Sequence, residues 1–273
     1  ETADLTKLTT NQVQALTTAQ IVALTTGQVP NLLTSQVAAL KDAQVAALET
    51  ADLVKLTTNQ VLALTTAQVV ALTTDQVPNL LTSQIAALSA DQIAAMETAD
   101  LAKLSTAQVK ALTTAQVVAL TAAQMPNLLT SQVAALKVDQ VAALETADLT
   151  KLTTDQVQAF STTQVAKFTP DQLTHFNDAQ LGAITSAQSD SLTTLALSQL
   201  SVSQVQAIKP EALAAMSGAN RISTLSMEQV AGLTTDQVKA LSSTQVSKLE
   251  TEDLAKLSTA HIQVLSTAAV AAM

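Results

Sequence analysis

One octapeptide runs the length of this chain, with consensus Leu-Thr-Thr-x-Gln-Val-x-Ala. It is clear in Leu8-Thr9-Thr10-Asn11-Gln12-Val13-Gln14-Ala15 and again from Leu16 and Leu112. With Leu8 as position 1, that position recurs every eight residues to Met216 and then from Leu225 to Met273. All 34 such positions are apolar, as are 33 of 34 at position 6, Ser189 being the exception. A single nine-residue unit between Met216 and Leu225 takes up the only slip in phase. A repeat this strict means an array whose units stack on their neighbours, and it decides the fold before any local motif does.

The spacing selects among three conformations. A strand needs apolar residues at even spacing, but positions 6 and 1 are separated by three residues and then five, which puts them on opposite faces. An unbroken helix turns about 100° per residue, so each octad would displace the apolar stripe by about 80° and no partner could cover it. A short helix in every octad meets neither objection. Thr at position 2 followed by Gln at position 5 is the capping-box pattern, with position 2 as N-cap. The charges agree with the resulting dipole: 21 of 22 acids lie at positions 2 to 5, and nine of 12 lysines lie at position 7 or 8. Pro170 and Pro210 fall at position 3, the first helical residue, where a missing N–H costs nothing.

These patterns predict an all-α solenoid of short capped helices, one per eight-residue repeat and roughly six residues long. Helices of that length are unstable alone, so stability must come from stacking, with positions 1 and 6 forming a core ladder and Ala at position 8 allowing close approach. Gln recurs 24 times at position 5, with Asp in five further octads. The amide either closes its own capping box or also bonds backbone at the corners, and the local pattern favours the first role.

A 48-residue superperiod lies above the octad. Glu-Thr-Ala-Asp-Leu-x-Lys-Leu recurs at Glu1, Glu49, Glu97 and Glu145, and Pro-Asn-Leu-Leu-Thr-Ser-Gln at Pro30, Pro78 and Pro126. Those prolines sit at position 7, where they must shorten a helix and open a distinct corner. Six octads then correspond either to one coil of six or to two of three, and tandem duplication explains the near identity equally well. The array divides by regularity into residues 1–159, a diverged stretch at 160–225, and regular octads again at 226–273. Phe160, Phe168 and Phe176 fill three successive core positions, and Ala196, Ala212 and Arg221 enter the Gln column. The diverged stretch reads as a kink, a docking surface or an older section. The 273 residues make 33 units of eight and one of nine, which reads as a piece of a longer array, a processed product or an arbitrary boundary.

The search for chemistry returns no catalytic, cofactor-binding or metal-ligating residues, and the expectation is a non-enzyme without cofactors. His175 and His261 lie 86 residues apart without a surrounding acid or Cys pattern and are assigned surface or corner roles. Asp52, beside Glu49, is assigned an ion pair with Lys55. Four glycines and no cysteine leave no phosphate loop, nucleophile elbow, thiol site or disulfide. A net charge of −9 with a single Arg opposes nucleic-acid binding and docking on anionic membranes, and no apolar run approaches a membrane span.

Leu112-Thr113-Thr114-Ala115-Gln116-Val117-Val118-Ala119-Leu120 is similar to the opening of TAL-effector repeats, but the octad lacks their Gly-rich base-reading loop and their positive charge. Across the whole chain, runs of Leu-Thr-Thr-x-Gln-Val-x-Ala-Leu resemble the octapeptide-repeat regions of very large secreted or cell-surface proteobacterial proteins of adhesion type. That resemblance implies an extracellular or cell-surface structural role. The expected function is a rod, stalk or filament built by stacking and end-to-end self-association. The alternative is an adhesin or scaffold that binds a cell-surface partner through positions 4 and 7, with ice or ordered-water binding by a Thr face as a remote third.

Overall fold

The computed structural model describes residues 2–217 and 221–273. It contains 30 α-helices of four to six residues and four short 3-10 helices, with no strand among the described residues. The chain forms two compact units, Glu1–Leu136 and Lys137–Met273, each a helical-repeat solenoid.

Each α-helix starts where the sequence places it. At Thr113 the N-cap has φ −77 and ψ 161, its hydroxyl accepts the Gln116 N–H, and the Gln116 side chain accepts the Thr113 N–H in return. Pro170 and Pro210 both open helices, as position 3 requires. The corner between helices is built without glycine. Leu112 ends one helix in extended backbone (φ −54, ψ 139), and Thr113 continues extended into the next. No described residue has positive φ, so the array avoids the left-handed C-cap that many helices place on Gly.

Not every N-cap is filled. Lys41 and Lys137 occupy position 2 without a side-chain cap bond, leaving only the return bond from Gln. Changing Lys41 to Ser is expected to add about 1 kcal/mol of stability by supplying the missing hydroxyl acceptor. Urea unfolding followed by circular dichroism measures this, and a Lys41→Ser chain no more stable than its parent would show that the cap contributes nothing there.

Helices pack on helices three octads away within each unit. Thr58–Leu62 lies on Thr82–Ala87 and Thr82–Ala87 on Thr106–Ala111 in the first unit, with the same step from Thr154–Ala159 to Asp178–Ala183 in the second. The 48-residue superperiod is therefore two packing steps of three octads, and the single coil of six is excluded. Position 6 points fully inward, as at Val69, Ile85 and Val117, and position 1 is nearly as buried at Leu72, Leu88 and Leu120. Burying such aliphatics is worth roughly 1.5–3 kcal/mol each, which offsets the nucleation cost of every short helix.

The Pro-Asn segments shorten their helices as expected. At Val29–Asn31, Val77–Asn79 and Met125–Asn127 a turn followed by one 3-10 turn replaces the α-helix. Asn at position 8 bonds its side-chain amide to the position 4 carbonyl, for example Asn79 to Asp75 at 2.8 Å, satisfying a group the α-helix would have used.

In the second unit the three phenylalanines form one edge-to-face stack, with centroids 5.1 Å apart for Phe160–Phe168 and 5.3 Å for Phe168–Phe176. Ser189, the polar exception at position 6, is fully buried and satisfied, donating within reach of the Ser186 and Ala212 carbonyls (2.8 and 2.6 Å). Of the nine-residue unit, residues 218–220 lie outside the described residues.

Candidate functional site

The most organised polar feature of the chain is the column of position 5 side chains. Gln116 is 2 % exposed and makes bonds in two directions. Its Oε1 accepts the Thr113 N–H at 2.7 Å, closing its own cap. Its Nε2 donates to the carbonyls of Ile85 and Leu88, 31 and 28 residues earlier, at 2.8 and 2.6 Å. Gln84 repeats the pattern on Leu53 and Leu56, and Gln132 repeats it on Leu101 and Leu104. In the second unit Gln180 bonds Leu149 and Leu152.

The two roles considered for Gln are thus both present in one side chain. A single amide has an acceptor oxygen for the cap and a donor nitrogen for the carbonyls that short helices leave open. After the nine-residue unit, Gln229 and Gln237 reach back 32 and 29 residues instead of 31 and 28. The extra residue is absorbed without disturbing the column.

Substitutions in the column show what the position requires. Arg221 donates to the Leu192 carbonyl, taking over the Gln donor role with a different group. His261 takes over the acceptor role, its Nδ1 accepting the Ser258 N–H at 3.3 Å. His261 is buried in the column. His175 stands exposed at a corner beside Asp171, with 3.8 Å between Nδ1 and the carboxylate.

Asp at the same position depends on its surroundings. Asp4 is exposed and pairs with Lys7 at 3.2 Å, and that ammonium holds its carboxyl below the ordinary value. Asp52, Asp100 and Asp148 occur in the same sequence context but are buried. The ion pair expected between Asp52 and Lys55 does not form, because the stacked turn covers Asp52 while Lys55 stays exposed. Burial pushes the Asp100 and Asp148 carboxyls up to about 6, and the charges of Glu97 and Glu145 add to the shift.

Among the described residues no group of three or more His, Asp or Glu side chains gathers as a metal would require. A half-open cavity of ≈ 240 Å³ lies between Gln158, Ile184, Thr185, Lys209 and Glu211. The nearby Ser186 hydroxyl donates to the Glu211 carbonyl at 3.3 Å. Among the described residues no helix is long and apolar enough to cross a membrane.

A column of this kind, tying successive turns of short capped helices, defines the chain as a structural helical-repeat protein. The model of the ALTTAQ repeat matches residues 1–34, 45–82, 93–130, 141–177 and 246–273, and the chain belongs to that repeat family. Three successive matches begin 48 residues apart, at 45, 93 and 141, following the superperiod. The longest gap, 178–245, takes in most of the diverged stretch. A search of curated proteins found no match.

Proposed function

We propose that the chain is an extracellular structural protein that forms a rod, stalk or filament outside a bacterial cell by end-to-end association of its solenoids. The observation that supports this most directly is the amide column, in which each turn donates to the one before it, as Gln116 does to Ile85 and Leu88. Stacking of this kind has no built-in stop, since every turn offers the same carbonyls to the next. A head-to-tail contact between copies that repeats it propagates as a fibre when rotation does not close a ring. The function is mechanical, not catalytic, and the resemblance to secreted proteobacterial repeat regions supports the extracellular setting.

Electron microscopy of the purified chain should show ordered fibres. Discrete short particles from the parent chain would overturn the filament reading. The second reading, an adhesin or scaffold, is favoured by exposed aliphatics that recur at the 48-residue step: Val22, Val70 and Val118, with Leu33, Leu81 and Leu129.

A further inference from the structure

We propose that Asp52, Asp100 and Asp148 are held as neutral carboxylic acids in the folded array, making it a pH-responsive solenoid whose contacts loosen when these acids ionise. Asp100 carries the case. It is 1 % exposed, and its Oδ1 is buried with no hydrogen-bond partner. It stands in a column whose other members are mostly amides that donate to carbonyls 31 and 28 residues earlier. At Asp100 that register falls on Val69 and Leu72, and no column amide reaches either carbonyl. Asp52 occupies the same setting, with Ile21 and Leu24 in register. An ionised carboxylate offers only oxygen to a row of carbonyl oxygens, whereas the neutral acid offers an O–H donor.

Among the described residues no cation forms an ion pair with these carboxyls. The Glu97 N-cap takes no side-chain cap bond, so the Asp100 helix lacks the tie that Gln provides elsewhere. Around Asp100 the charged groups on its own octad are Glu97 and Lys103, both exposed; the turns packed on it contribute exposed Asp75 from residues 72–79 and none from 64–71 or 120–135. Around Asp52 they are Glu49 and Lys55 of its own octad and Asp75, with none in residues 16–31 or 80–87. Asp148 has Glu145 and Lys151 beside it, with Asp171 on the helix that packs on it in the second unit and His175 at that helix's C-cap. Burial is the dominant cause of the raised affinity at all three, and neighbouring Glu is the second.

The folded chain therefore holds more protons than the unfolded chain between the ordinary carboxyl value of 3.8 and about 6. Stability is fully present below that window and falls as pH rises through it. Latches spaced 48 residues apart would tighten the array in mildly acidic surroundings and relax it near neutrality.

Carbon-detected NMR titration of the full chain should give midpoints near 6 for Asp100 and Asp148. Midpoints at or below about 4, the range of ordinary carboxyls, would overturn the proposal. Thermal melts provide the second measurement. The parent should lose several degrees of melting temperature between pH 4.5 and pH 7.5 through these groups. The triple variant Asp52→Asn, Asp100→Asn, Asp148→Asn should melt higher at pH 7.5 and show a flatter profile. A triple variant with the parent's slope would sink the idea. If that variant fails to fold, the NMR midpoints of the parent still decide.

Discussion

Changing Gln116 to Glu is expected to cost the array about 3 to 5 kcal/mol at pH 7, because one atom replacement breaks two donor bonds and buries a charge. Gln116 Nε2 donates to Ile85 and Leu88 at 2.8 and 2.6 Å, and the whole side chain is buried. A carboxylate would still accept the Thr113 N–H, so the local cap survives and the loss comes from the inter-turn bonds and the buried charge. Changing Gln116 to Met removes donor and acceptor without adding charge and should cost less, about 2 kcal/mol. The ordering Glu worse than Met separates desolvation from shape, since both replacements have volumes close to Gln. Urea unfolding at pH 7 and again at pH 4.5 tests the argument, with the Glu penalty shrinking at the lower pH as the carboxyl takes up a proton. A Glu variant within about 0.5 kcal/mol of the parent would show that the amide column contributes nothing to stability.

Helix phase was legible in the sequence because its causes lie within a few residues of one another. Thr113 and Gln116 are three apart, and Pro170 sits one residue after its cap, so each signal is complete inside its own octad. The donor half of Gln was not legible, because its acceptors lie 28 and 31 residues away and no local pattern encodes that reach. Asp52 shows the same limit from the other side. Its spacing to Lys55 suits a helical ion pair, and the equivalent Asp4 and Lys7 do pair at 3.2 Å. What separates the two is whether an earlier turn covers the carboxyl, a tertiary fact that identical octads cannot record. The six-octad period was visible, but its division into two steps of three depends on which helices touch. The functional site shares this character. It is a column built from one residue per octad, apparent only once the octads are stacked.

Changing Phe168 to Ala is expected to destabilise the second unit by about 3 to 5 kcal/mol, as for other buried aromatic truncations. Phe168 is the middle ring of the stack, touching Phe160 and Phe176 edge to face, so its removal breaks both ring contacts and leaves a cavity between them. Each such pair contributes about 0.5–1.5 kcal/mol beyond burial, which places this loss above that of an ordinary position 1 Leu. Changing Phe168 to Leu restores the octad consensus and should cost only about 1.5 kcal/mol, since Leu fills most of the space and the flanking rings can close on it. Because units of an array are coupled chiefly to their neighbours, the damage should be local. Amide hydrogen exchange is expected to accelerate in the helices Thr154–Ala159 to Asp178–Ala183, while Thr82–Ala87 in the first unit keeps its protection. Uniform acceleration across both units would mean that the chain unfolds as one cooperative body, and the neighbour-coupled account of its stability would fail.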